Sequence, residues 1–470
     1  MRILLPTGAG TEALVRAAAA GHDADVVVTG EIASFLTPHQ LEALIRRGNY
    51  DMAIVSGMST ASFDAVERAT GVPVYRGPRH AADLALVLPL LGTVTLSRTI
   101  PADDFLSAKK REEAEAAVAE REREATADYI IRGMKIGGTS RMKVLAEIMD
   151  AHRREDIRFD VERFFASGAD IVDLGFGFDA TPADVKRGFA AVADIDRPLA
   201  IDSQDPALIR AALPRADIVL SLRSENIPQV GKEVATAGAA AVVVPDHRSL
   251  AQNIAAAKKA GVRCIIADPL LQPAGSGLAA SLRNFKKSRY PVFFGAGNVV
   301  ELLDADSVGM NALLAGIAME LGAAVIFASE HSDKTQGAIQ EMRRATEMMV
   351  LAKDRPYPKD LGIDLLVLKE KRRRREPALE YETVVPAQEA PNEIVYDPKG
   401  NFRIGIEGDE IIAVIRGKAI KGKRWQDVFS VIQKAGDITL LDHAAYLGRE
   451  LYKAELAIRY GRSFEQDGEF

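Results

Sequence analysis

From about residue 128 to 350 the sequence repeats one pattern. A short apolar run ends in glycine or an acid, and a stretch of helical period follows. The runs are "IIRGMKIGG" (130–138), "DIVDLGFG" (170–177), "PLAID" (198–202), "IVLSL" (218–222), "AVVVP" (241–245), "CIIADP" (264–269), "VFFGAG" (292–297) and "AVIFAS" (324–329). Near-continuous apolar strands separated by helical patterns make a parallel sheet, because each crossover helix covers one of its faces. Eight such units in roughly 230 residues predict a (β/α)8 TIM barrel. In that fold the C-terminal ends of all strands open on one mouth, where catalytic groups sit.

The strand ends carry carboxylates: Asp173, Asp202, Asp246 and Asp268. A buried carboxylate needs a partner, since isolated burial of the charge is costly. A ligand edge with adjacent N–H donors, such as a 2-amino-4-oxo-pteridine, supplies one. An Asp just before a helix is also an N-cap, and that reading stays open for each acid. Asp202 and Asp268 are the main candidates. The glycine-containing ends "GMKIGGTSR", "GFGFDATP", "QPAGSGLA" and "GAGNVVEL" leave room for ligand and expose backbone N–H groups suited to phosphate.

Two flanking regions differ in pattern. Residues 1–125 alternate the strands "RILLP", "DVVVTG", "MAIVSG" and "VPVYRG" with capped helices, predicting a doubly wound, flavodoxin- or Rossmann-like α/β domain. Residues 108–125 are charged residues and alanine, predicting an exposed connecting helix. The barrel is expected over 126–368. The basic run "KEKRRRREP" (369–377) reads as a solvated linker. A small α+β domain over 380–470 follows, with a hairpin turning at "EGDE" and two amphipathic helices.

Composition excludes several classes. A net charge of −6 argues against nucleic acid as the main partner. The single cysteine, Cys264, rules out an intrachain disulfide or a cysteine-based metal cluster. Seven histidines without HxH or HExxH spacing argue against a zinc site, so no metal held by protein side chains is expected. The N-terminus is broken too early by Pro6 for a signal peptide, and no apolar run reaches the ~20 residues of a membrane span. The expected setting is the cytoplasm, without a membrane partner. "PTGAGTEAL" lacks the lysine of a nucleotide-binding P-loop.

The runs "GADIVDLGFGFDATPADV", "LAIDSQDPALIRAAL" and "IIADPLLQPAGSG" resemble the second, third and sixth strands of dihydropteroate synthase and its pterin-binding relatives. "GAGNVVELLDADSVGMNALLAGIAMELGAAVIFASEHSDKTQGAIQEM" and "LDHAAYLGRELYKAE" resemble the dihydropteroate synthase-like proteins of tetrahydromethanopterin synthesis, a subgroup of methanogens and methylotrophic bacteria in one-carbon metabolism.

The resemblance implies a transferase that joins 6-hydroxymethyl-dihydropterin diphosphate to an arylamine, 4-(β-D-ribofuranosyl)aminobenzene 5'-phosphate, with release of pyrophosphate. It implies Asp202 and Asp268 on the pterin edge; Lys334, on the loop after the eighth strand, is expected as a catalytic cation that stabilises the departing pyrophosphate. Asp179 and Thr181 fall in the second-substrate loop, and Asn226 replaces a pterin-contacting Asn. Asp173, Ser221, Asn298, Glu330 and His331 complete the expected substrate contacts. Lys135, Arg141, Ser276 and Gly277 are the expected phosphate contacts, joined by Lys143. Mg²⁺ is the expected cofactor, bound mainly through pyrophosphate, and a homodimer the expected assembly. Relative to folate enzymes, the first strand reads "MKIGGTSR", the seventh "GAGNVVEL" and the eighth "SEHSDK". Rebuilt phosphate and acceptor ends suit an acceptor carrying its own sugar phosphate. A pterin-dependent methyltransferase component and a non-catalytic pterin-binding or assembly protein remain alternatives.

Overall fold

The strands β1 (Ile3–Thr7), β2 (Ala24–Val28), β3 (Met52–Val55) and β4 (Val74–Arg76) form a parallel sheet in the order β2-β1-β3-β4. Their helices begin and end where the caps require. Thr37 and Gln40 close a capping box on helix Pro38–Ile45, and Gly71, at φ 72°, terminates helix Asp64–Thr70. Apolar clusters pack both faces, one around Ile3, Leu5 and Ile54, the other around Leu4, Leu41 and Val55.

The computed structural model describes residues 1–353, 355, 357–359, 361–366, 381–387 and 395–468. The chain divides into two compact units, Met1–Pro377 and Ala378–Phe470. The basic run at 369–377 lies outside the described residues.

Helix Ala102–Glu124 starts earlier than the charge pattern suggested, and it is more than a spacer. It is largely exposed, yet Ala114 and Val118 are buried in the barrel's outer core, and Glu115 pairs with Arg344 of helix Ala338–Ala352. Among the described residues, no helix is long and apolar enough to cross a membrane.

One of the eight expected barrel strands is a different element. "IIRGMKIGG" is not a barrel strand. It folds as an antiparallel hairpin, β5 (Tyr129–Ile131) and β6 (Met134–Ile136), turning at Arg132 and Gly133, both at positive φ. Its Ile131 and Ile136 pack with Leu145, Ile171 and Ile218, so the hairpin plugs the lower end of the barrel. The true first strand is β7 (Lys143–Ile148). After it come β8 (Ile171–Gly175), β9 (Leu199–Asp202), β10 (Ile218–Leu222), β11 (Ala240–Val243), β12 (Ile265–Ala267), β13 (Val292–Phe294) and β14 (Ala323–Ser329). All eight pair in parallel and close into a TIM barrel. Alternation along each strand divides the side chains. Leu145, Ile171, Ala200, Ile218, Val242, Ile266 and Phe293 fill the lumen; Val144, Val172, Ile201, Val219 and Phe294 meet the helices.

In the second unit, β15 (Arg403–Glu407), β16 (Glu410–Ile415) and β17 (Lys418–Gly422) form an antiparallel meander, one strand more than the expected hairpin. Helices Trp425–Lys434 and Leu441–Arg459 bury Ile432, Leu447, Leu451 and Ala454 against it. Leu441, at the start of the second of these helices, is exposed. Asp397 ties the unit together, accepting from Thr439 N–H and Oγ1 (both 2.7 Å), Leu440 N–H (3.1 Å) and His443 Nδ1 (3.1 Å).

Candidate active site

The lumen is apolar up to its last layer, and there it turns acidic. Glu147 of β7 is in register with Asp173 of β8, and Gly175 of β8 with Asp202 of β9. Glu147 and Asp173 each lie two residues beyond a lumen side chain, Leu145 and Ile171, and Asp202 lies two beyond Ala200. All three therefore face inward. One carboxylate oxygen of each lies within 4.8 Å of the other two. Glycine makes this possible: a Cβ on Gly175 would stand 2.7 Å from Glu147 Oε1.

Asp173 is 1% exposed, and its Oδ1 has no hydrogen-bond partner. Burial, and then the charges of Asp202 and Glu147, push its pKa well above the ordinary carboxylate range. Burial pushes Asp202 up to about 6. Burial, and then Asp202 and Asp150, push Glu147 up to about 7. Among the described residues none of the three has an ion-pair partner.

Asp268 follows β12, three strands further round the same rim. It is 7% exposed, and its Oδ1 accepts from Leu270 N–H at 2.8 Å. Burial raises its pKa to about 7. Neither Asp202 nor Asp268 caps a helix; Asp205 takes that role on helix Pro206–Ala212. The N-cap reading therefore fails for both.

A cleft of about 260 Å³ opens above Glu147 and Asp202, lined by these two with Asp150, Phe176, Phe178 and Gln204 among others; Asp173 and Asp268 are not in its lining. Phe178 is fully exposed at its edge. The loops after β7 and β8 are laced together there. His152 Nε2 lies 3.1 Å from Asp179 Oδ1, and Arg153 donates to Asp179 Oδ2 at 2.6 Å. A Cβ on Gly177 would meet Asp150 Oδ1 at 2.7 Å, so this glycine lets the loops close. His152 Nδ1 is buried without a partner.

Several expected contacts sit elsewhere. Lys135, Arg141 and Lys143 lie at the lower, N-terminal end of the barrel, because the first barrel strand begins at Lys143 and not at Ile130. Lys135 donates to the carbonyls of Glu122, Arg123 and Ala125, closing the C-terminus of helix Ala102–Glu124. Arg141 is buried against Asp170 at 2.6 Å, and Lys143 against Glu122 at 2.8 Å. None of them reaches the mouth. Lys334 does follow β14, but its ammonium donates to the carbonyls of Val300 and Leu303. Glu330 turns into the helical layer, accepting from Arg163 (3.0 Å) and Ile339 N–H (3.2 Å). Thr181 forms a capping box with Asp184 on helix Pro182–Ala191. Asn226 is buried with both ends of its amide engaged by its own loop, Oδ1 by Arg223 N–H (2.9 Å) and Nδ2 by Ser221 carbonyl (3.0 Å). Asp246 likewise clasps two loops, accepting from Ser224 and Arg248 N–H and from Asn253.

Ser221 is half-buried at the end of β10, Asn298 is exposed in the first turn after β13, and His331 is exposed after β14. Ser276 and Gly277 are exposed on the loop after β12. Sequence reading missed Glu147, Asp150 and His152. The signal was present: "KVLAEIMD" is itself an apolar run ending in acids.

Residues 396–467 match the protein family described as PterinBD-DUF4346. Among solved structures, dihydropteroate synthase of Thermus thermophilus is 21% identical over 46% of this chain and 96% of that one, with a TM-score of 0.37. The Burkholderia cenocepacia dihydropteroate synthase complexed with 7,8-dihydropteroate is 20% identical over 49% and 97%, with a TM-score of 0.39. An uncharacterized protein of Methanocaldococcus jannaschii is 33% identical over an alignment 518 positions long, spanning 99% of this chain and 98% of that protein. Matched from end to end at that identity, the chain belongs to the family of this Methanocaldococcus jannaschii protein.

Proposed function

We propose that the protein is a pterin-binding transferase of the dihydropteroate synthase kind. It joins 6-hydroxymethyl-dihydropterin diphosphate to the amine of 4-(β-D-ribofuranosyl)aminobenzene 5'-phosphate, in tetrahydromethanopterin synthesis. The observation that carries this reading is the pair Asp202 and Asp268, carboxylates drawn into the barrel mouth that cap no helix and whose pKa values burial raises. The match of residues 396–467, in the second unit, to a family whose description names a pterin-binding domain supports a pterin ligand for the chain, not the roles of the barrel acids.

A pterin's 2-amino and N3–H donors supply what the carboxylates lack, and charge-assisted hydrogen bonds are the strong ones. Ionised, the two acids also favour the positive character that develops on the pterin methylene carbon as its C–O bond breaks. The aryl amine is already unprotonated at neutral pH, so positioning rather than a strong base supplies the rate. Phe178 offers an aromatic face at the cleft edge. Mg²⁺ arriving with the diphosphate would supply charge neutralisation for the leaving group, and Asp150 is the cleft carboxylate fit to meet it.

The test is turnover. The full chain with the pterin diphosphate, the ribosylated arylamine and Mg²⁺ should release pyrophosphate in step with a pteroate-like product seen by mass spectrometry. Unconsumed pterin diphosphate, with this amine and with 4-aminobenzoate alike, would overturn the assignment.

A further inference from the structure

We infer that Glu147, Asp173 and Asp202 form a binding site for one divalent cation, held by the protein itself before any diphosphate arrives. Three carboxylates from three adjacent strands place one ligand oxygen each within 4.8 Å of the others. In an octahedron with metal–oxygen bonds of about 2.1 Å, neighbouring ligands stand about 3 Å apart and opposed ones about 4.2 Å. The 4.8 Å limit on the cluster lies a few tenths of an ångström above that span, a gap that small side-chain rotations close on an ion.

A second observation is independent of the clustering. Asp173 Oδ1 is buried in the lumen wall and receives no hydrogen bond. A buried carboxylate oxygen without a donor is a costly arrangement that a bound cation relieves. The backbone fixes the geometry, because the three residues are locked by strand register and Gly175 leaves the space into which Glu147 folds. The cleft above leaves the remaining coordination positions to water or to an oxyanion. Three oxygen ligands with open positions suit Mg²⁺ or Mn²⁺, which keep several waters, better than Ca²⁺, which takes six to eight oxygens. The cation site shares Asp202 with the pterin reading, but Glu147 and Asp173 belong to it alone and Asp268 to the pterin edge alone, so either can fail without the other.

The experiment uses the full chain, stripped with EDTA and titrated with Mn²⁺ alone at about pH 8, where the carboxylates give up their protons to the metal. Free Mn²⁺ is followed by electron paramagnetic resonance, and the melting temperature is read in parallel. The wild type should take up one Mn²⁺ per chain and melt higher with it. Glu147→Gln, Asp173→Asn and Asp202→Asn should each lose the tight site and the melting shift, while Asp268→Asn keeps both. A wild type that takes up no Mn²⁺ would overturn the site and leave the three acids sharing protons instead. Retention of wild-type stoichiometry in Glu147→Gln and Asp202→Asn would overturn it equally. Pterin binding, measured without metal, reports separately on the proposed function.

Discussion

Asp170 and Asp173 are three residues apart at the foot and in the body of one strand, and both are buried. Their surroundings are opposite. Asp170 accepts from Arg141 (2.6 Å), Arg343 (3.1 Å) and Val144 N–H (2.8 Å). Burial alone would raise its pKa, but the two guanidiniums and that N–H more than offset it, and the pKa falls. Asp173 has two other acids for neighbours and an oxygen without a donor, and its pKa rises. The lower end of the barrel thus satisfies its charges internally, as a structural ion-pair network does. The upper end leaves its charges unmet, as a site awaiting a ligand does. Residue type and burial are the same; the partners differ.

The contrast breaks most sharply under substitution. Asp170→Asn leaves Arg141 buried without its partner and should cost about 3–5 kcal/mol of stability in urea denaturation. Asp173→Asn removes a like-charge repulsion and should be neutral or stabilising. Comparable losses for the two would erase the distinction.

A smaller effect follows in pH. Asp268, with a folded pKa of about 7, binds its proton more tightly folded than unfolded. The folded state therefore holds more protons between about pH 4 and 7, and stability falls as pH rises through that window. Glu147 and Asp202 act in the same direction. The ligand-free chain should lose a few kcal/mol of stability between about pH 4.5 and 7.5 from these groups together. In Asp268→Asn the slope should flatten. A slope unchanged in that variant would show that Asp268 titrates normally.

The same contrast explains what the sequence could disclose. Apolar runs such as "AVVVP" and "CIIADP" lie buried on both faces, and they declare their strands because every residue wants to be dry. The first barrel strand did not, because Lys143 and Glu147 interrupt it, one paired with Glu122 below and one facing the mouth above. "IIRGMKIGG" took its place in the reading. Its period-two pattern is genuine, but the Arg132–Gly133 turn makes it a hairpin rather than one strand. That single shift carried Lys135 and Arg141 to the wrong end of the molecule and hid Glu147. Asp202 and Asp268 were legible because strand-end position alone puts a side chain at the mouth. Lys334, Glu330 and Asn226 were not, because a polar residue at a rim can equally serve its own loop, and only the hydrogen bonds decide.

In the proposed function Asp202 and Asp268 hold one flat heterocycle between them. Calorimetric titration of the full chain with 6-hydroxymethyl-dihydropterin diphosphate tests it most directly, in the wild type and in Asp202→Asn and Asp268→Asn. Losing a charged acceptor should cost about 1.5–3 kcal/mol, weakening binding from about tenfold to over a hundredfold in each variant while the fold stays intact. Wild-type affinity in both variants, or no pterin binding in the wild type, would contradict the account.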